Sequence, residues 1–344
     1  MNLPNDHPLQ PGKPPTTNLE AYNLYLLGRY HWYNRSEAGF RSAAAYFERA
    51  VQLDPGYARA YAGLADVYVQ LDGWEFERPN EAMPKAKEFV NKALALDPAL
   101  AEAFVSLGAI YETYDWDPNA TVRAYARAVS LDPGYITGHW WYAAWLNAAG
   151  RDAEARQEWD RALKIDPLSV PVLIDSAELS LEAKNEHEAA LAQCWRAIQV
   201  DPTSSLAYRY LADILETVGK RQEALAALER AVALAPGYPA ALSDFATMQV
   251  REGRIADARQ ILNRLLLLSK TQYVPAFVIS RIYFALGDQR SALYWLRAAR
   301  KERSPRIGWY LIPNGKGSSG ERFHYGSRDD PQFVALLRQV LSGQ

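Results

Sequence analysis

The chain has 344 residues, 49% hydrophobic and 23% charged, with a formal net charge of −2. That apolar share excludes a disordered chain, and the length exceeds what one closed core usually organises, so two domains or a repeat array are expected. The balanced charge, with no Lys/Arg run, argues against a nucleic-acid partner; the single cysteine, Cys194, excludes a disulfide framework and a cysteine-ligated metal site.

Residues 1–18 carry Pro4, Pro8, Pro11, Pro14 and Pro15 among polar residues, the composition of an extended linker. The segment lacks the apolar stretch of a signal peptide, and no run of 18 apolar residues follows it, so no membrane span is expected. A linker at the start suggests that another module once preceded it, so that the chain reads as a fragment of a longer protein or as a free-standing version of its tail.

From there a phrase recurs: LDPGY at 53–57, LDPAL at 96–100, LDPGY at 131–135, IDPLS at 165–169, VDPTS at 199–203 and LAPGY at 234–238. Pro55, Pro98, Pro133, Pro167, Pro202 and Pro236 stand 43, 35, 34, 35 and 34 residues apart. Proline lacks the N–H that continues a helix, so each marks a helix boundary. Seven of eight units place Ala at the start of a second helix (Ala43, Ala86, Ala155, Ala190, Ala224, Ala258, Ala292), with Thr121 in the other. Seven residues later come Ala50, Ala93, Ala128, Ala162, Ala197, Ala231 and Ala299, with Leu265 the exception. Between them stand Phe47, Val90, Tyr125, Trp159, Cys194, Leu228, Leu262 and Leu296. Small, large, small at i, i+4, i+7 shares one helix face, where alanines permit close approach and the bulky residue fills the gap. Gly28, Ala65, Gly108, Ala143, Ala212 and Ala246 mark the close contact on the first helices, with Glu178 and Ser280 weaker matches. Gly150, Gly219, Gly253 and Gly287 suit left-handed turns at helix ends.

The units run over about 21–57, 58–100, 101–135, 136–169, 171–204, 205–238, 239–272 and 273–306, with Lys270 and Ser304 replacing the proline in the last two. The first carries extra residues near HWYNRS, the second in LDGWEFERPN. Residues 307–344 comprise a Gly/Ser loop and a closing helix, capped by Asp330, started by Pro331 and striped with Phe333, Leu336, Leu337 and Val340. Such a helix covers the packing face that the last repeat of an array exposes.

The period and these positions resemble the tetratricopeptide-repeat (TPR) family over about residues 20–306. The resemblance implies an all-α, right-handed TPR superhelical solenoid of about eight helix-turn-helix repeats spanning 19–306, with a C-terminal capping helix. The opening TTNLEAYNLYLLGRYHWYNRS and the tail from YVPAFVISRIYFALGDQRSALYWLRAARKERSP onward are similar to the C-terminal TPR regions of certain bacterial signalling proteins. Those regions follow a winged-helix domain, a TolB-like domain, a receptor Ser/Thr kinase or an adenylate cyclase; the Gly/Ser loop at 314–320 departs from their pattern.

Enzyme chemistry finds little support. His7, His31, His139, His187 and His324 lie far apart, with no metal-ligand spacing. Lys316 is flanked by Gly315 and Gly317 but lacks the Ser or Thr and the upstream glycine of a phosphate loop. Cys194 fills a core slot, where a thiol is a small hydrophobe. No cofactor, metal or catalytic residue is expected.

In the TPR fold the first helices line a concave groove, and the resemblance places these residues on its wall: Tyr22, Tyr25, Arg29, Trp32, Tyr33, Trp140, Asn147, Asp175, Glu182, Arg209, Asp213, Glu216, Phe277, Arg281 and Phe284. Aromatic rings with mixed charge suit a peptide or protein partner with basic or mixed-charge residues, and the packing of these rings on neighbouring hairpins is the competing use. Lys87 and Asn91 have the spacing of a carboxylate clamp but lie on a second helix. The expected function is a non-catalytic interaction scaffold in bacterial signalling or transcriptional regulation. The alternatives are a ligand-sensing or oligomerisation tail of a larger regulator and, remotely, a small-molecule enzyme. The expected compartment is the cytoplasm, or the periplasm for the tail of a membrane-anchored regulator.

Overall fold

The computed structural model describes residues 16–33, 35–182, 186–308 and 331–342. Most of the expected linker, the Gly/Ser loop and Asp330 lie outside them. Among the described residues the secondary structure is helical, with no strand, and the order is α1 (Leu19–Tyr33), α2 (Glu37–Leu53), α3 (Ala58–Gly73), α4 (Pro79–Leu96), α5 (Ala101–Ile110), α6 (Pro118–Leu131), α7 (Ile136–Ala148), α8 (Asp152–Ile165), α9 (Val170–Glu182), α10 (His187–Val200), α11 (Ser205–Thr217), α12 (Arg221–Leu234), α13 (Pro239–Arg251), α14 (Ile255–Leu268), α15 (Ala276–Ala285), α16 (Gln289–Lys301), α17 (Pro305–Gly308) and α18 (Pro331–Ser342). Consecutive helices α1 to α16 form eight helix-turn-helix repeats. The chain divides into two compact units, residues 1–145 with 160–166 and residues 146–159 with 167–344.

Local chemistry sets the helix ends. Ser36, Asp117, Ser204 and Asp288 cap α2, α6, α11 and α16, their side-chain oxygens accepting an N–H of the first turn at 2.9–3.2 Å; each cap contributes about 1 kcal/mol. The recurrent aspartate folds the link between repeats: Asp54, Asp97, Asp132 and Asp201 each accept, at 2.9–3.0 Å, the N–H two residues on. Gly150, Gly219, Gly253 and Gly287 take φ of 75–81° inside the hairpins.

Packing follows the small-large-small code. All the alanines of the two small series are fully buried, as are Thr121 and Leu265, and the bulky residues between them are buried too. Phe47 shows how the code works. Its ring lies against Gly28 of α1 and Gly63 of α3, so close that a Cβ on either would overlap it, at 2.8 Å for Gly63. Tyr125 meets Gly108 of α5 in the same manner, at 2.5 Å. Glycine is needed here for close approach, not for backbone freedom.

The inserted residues of the second repeat do not form a free loop. Trp74 and Phe76 stack at 6.5 Å, and each lies 6.4 Å from buried Phe40 of α2. Before α1, Thr16 donates to Asp54 at 2.5 Å and Asn18 donates to the Leu53 carbonyl at 3.1 Å, which fastens the end of the linker to the first repeat. At the other end, α18 lays buried Phe333 against Phe277 and Phe284 of α15, with centroids 6.1 and 5.0 Å apart, and Leu337 and Val340 are buried beside it. Arg300 of α16 donates to the Val340 carbonyl.

Candidate functional site

In each unit the first helices are tied side by side through buried polar groups. In the first, Asp66 of α3, 1% exposed, accepts from Arg29 of α1 at 3.2 Å and from Ser106 of α5 at 2.6 Å. Burial raises the Asp66 carboxyl above its ordinary value, and the Arg29 guanidinium opposes the rise. Arg59 and Glu102 make a second tie at 3.2 Å between α3 and α5.

The second unit repeats the device. Asp244 of α13 is fully buried; its Oδ2 accepts from Arg209 Nε of α11 at 2.8 Å and its Oδ1 from Arg281 Nη1 of α15 at 2.8 Å. Arg209 also donates to the Tyr238 hydroxyl at 3.0 Å, and Tyr210 donates to Asp175 of α9 at 3.0 Å. Four successive first helices are thereby joined.

Asp213 of α11 stands apart from this bonding. Its carboxyl is half-buried and makes no hydrogen bond or ion pair among the described residues. Burial pushes it well above the ordinary aspartate value, and the negative Glu216 and Asp244 push further, against the pull of Arg209 and Arg281. Glu216, on the same helix, is also raised by burial, with Arg251 of α13 paired to it and opposing.

The residues read from sequence as the groove wall therefore divide. Trp32, Asn147, Arg209, Phe277 and Arg281 are buried, and Tyr25 and Arg29 nearly so. Tyr25 packs on Phe47 and Tyr57 at 5.6 and 5.4 Å, and burial pushes its hydroxyl up to about 12. Tyr25, Arg29, Arg209, Phe277 and Arg281 are engaged by neighbouring helices, because a long side chain one repeat from a complementary group is drawn to it. Phe284 is half-buried under Phe333. Tyr22, Tyr33, Trp140, Asp175, Asp213 and Glu216 keep part of their surface open. The side chain of Glu182, at the end of α9, lies outside the described residues. The sequence reading missed Asp66 and Asp244; its available signal was opposite charges about one repeat apart on first helices.

A tetratricopeptide-repeat family model matches residues 217–274, from the end of α11 to the entry of α15. The eight hairpins carry the same architecture through the described residues on either side. Residues 217–274 belong to the tetratricopeptide-repeat family, and the hairpins on either side share its fold. No curated protein sequence matches it. Among solved structures, this TPR chain is similar to human IFIT1 in a dimer with m7Gppp-AAAA, at 15% identity and a TM-score of 0.59, covering 84% of this chain and 72% of that one. A monomeric IFIT1 mutant with Gppp-AAAA gives 14% identity and a TM-score of 0.60, with the same coverage. PilW, a type IV pilus biogenesis factor, shares 19% identity over 64% of this chain and 96% of its own, at a TM-score of 0.46. For IFIT1, at these identities, the likeness is one of fold.

One further grouping of the TPR chain involves arginines and rings. Arg35, in the turn between α1 and α2, lies 4.2 Å from the Trp32 ring centroid and 5.0 Å from that of Trp140 on α7. Arg29 approaches the same Trp32 ring at 4.4 Å and Tyr33 at 5.2 Å. The Trp32 indole N–H is buried and meets no acceptor among the described residues.

Proposed function

We propose that the chain is a non-catalytic interaction scaffold that receives a cationic segment of a protein partner on the first-helix face of its second unit, with Asp213 as the anchor. The observation that carries this reading is the state of that carboxyl. It is half-buried beside two like charges, and the nearby guanidiniums of Arg209 and Arg281 are spent on Asp244. A lysine or arginine from a partner would relieve a group that folding leaves unsatisfied. Glu216 and Asp175 extend the acidic character along α11 and α9, which orients a basic or mixed-charge segment and repels phosphate. That electrostatics favours a protein over the capped RNA named for IFIT1. Catalysis draws no support from Cys194, whose thiol is buried and pushed far above its ordinary value by that burial. The resemblance to TPR regions of bacterial regulators supports a signalling role in which partner binding is passed to an output module.

Selection of displayed random peptides on the intact chain tests the reading. Lysine- and arginine-containing sequences should be enriched, and the paired substitution Asp213→Asn with Glu216→Gln should weaken them tenfold or more at unchanged helical content. Recovery of no basic sequences, or equal binding by the variant, contradicts it.

A further inference from the structure

The contact of Arg35 with Trp32 and Trp140 is unlike the other polar ties of the first unit. The Arg29–Asp66 and Arg59–Glu102 ties join neighbouring first helices through carboxylates, whereas Arg35 reaches from the first hairpin turn to the first helix of the fourth repeat and meets two indole rings. A planar guanidinium against indole faces is a favourable cation–π arrangement, better filled by arginine than by lysine. Trp32 is fully buried in it, while Arg35 and Trp140 keep part of their surface open, so the assembly can be reached from outside.

We propose that Trp32 and Trp140 form a guanidinium cage that the chain's own Arg35 fills in the unliganded state, and that an arginine of the bound partner takes its place. The proposal rests on the reading of the chain as a scaffold for a basic partner, and it adds, within the first unit, an anchor of defined side-chain type. Two features support exchange. Arg35 holds a φ of 47°, in the left-handed region that non-glycine residues adopt at a cost. The buried indole N–H of Trp32, which meets no acceptor among the described residues, is a donor that a peptide carbonyl satisfies and a guanidinium, having no acceptor, does not. Arg29, the other cation on Trp32, does not compete for the role, because Asp66 fixes it.

The test uses the intact chain and a five-residue probe, acetylated and amidated, with one arginine among four glycines; its counterpart carries uncharged citrulline. Tryptophan fluorescence should show the arginine probe binding Arg35→Gly at least about fivefold more tightly than the unsubstituted chain. The gain should vanish with citrulline and in Arg35→Gly combined with Trp140→Leu. Arg35→Ser, which retains a side chain at the turn, should behave as Arg35→Gly does, and circular dichroism of each variant should match the parent. Equal affinity of the variants and the parent, including no measurable binding by either, overturns the cage, as does a gain that survives Trp140→Leu. If selected basic peptides depend on Asp213 while the probe shows no gain, the cage alone falls. If the gain appears while selection returns no basic sequence, the cage stands and the Asp213 anchor falls.

Discussion

The Nε–H of Arg209 meets Oδ2 of Asp244 at 2.8 Å across the 35 residues that separate one first helix from the next, and both side chains are out of contact with water. Arg281 closes on the other oxygen of the same carboxylate. Asp244→Ala would leave two buried guanidiniums facing each other and should cost about 3–5 kcal/mol in urea unfolding. Replacing Arg209, Asp244 and Arg281 together by Met, Leu and Met should recover most of that loss, because no buried charge remains unpaired. A triple variant as unstable as Asp244→Ala would show that packing, not charge pairing, governs this joint.

Phe47 between Gly28 and Gly63 yields a prediction opposed to helix propensity. Alanine favours a helix over glycine by about 1 kcal/mol. A methyl at residue 28 runs into a fully buried ring, which typically costs about 1–3 kcal/mol. Gly28→Ala should therefore destabilise the first two repeats, and Phe47→Leu placed in the same chain should restore part of the loss. A stabilised single variant would mean the ring yields easily.

How far the sequence revealed this arrangement depends on the reach of each side chain. Ala43, Ala50 and their equivalents are legible because a methyl group has one role, close approach, and it recurs every period. Arg209 and Arg281 were placed on an open wall because position within a repeat defines a helix face but not what a long side chain finds in the next repeat. Trp32 is buried for a related reason: guanidiniums from residues 29 and 35 cover a ring that the position alone leaves exposed. Phe277 and Phe284 belong under α18, a relation spanning the Gly/Ser loop that no repeat period can encode. Asp213 stands among the residues expected on the wall, and its lack of a hydrogen bond or ion pair among the described residues emerges only when the neighbouring arginines are seen to be engaged.

The closing helix makes a local prediction. Phe333→Ala removes a buried ring held edge-on to two others, a loss of about 3–5 kcal/mol where the site cannot collapse. Because repeats contact mainly their neighbours, faster amide exchange should be confined to α13–α16 and α18, with α1–α6 unaffected. Uniform loss of protection along the chain would contradict this.

The pH dependence of stability has a definite sign at Asp213. Its folded-state carboxyl is raised, so the folded chain holds that proton more tightly than the unfolded one. Its contribution is favourable near and below the ordinary aspartate value of 3.8 and is lost as pH rises through the folded value. Asp213→Asn should be more stable than the parent at neutral pH, with the difference closing as pH falls toward 3.8 in paired urea titrations. A variant less stable at neutral pH would mean that Asp213 is satisfied in the folded chain.

Calorimetric titration of the chain with a selected basic peptide, in mildly acidic buffers of different ionisation enthalpy, tests the anchor most directly. A cation docking on Asp213 should lower its raised carboxyl value and release a proton, so the measured heat should vary with buffer in the parent and not in Asp213→Asn, which should also bind at least tenfold more weakly. Buffer-independent heat in the parent, with equal affinity in the variant, would contradict the account.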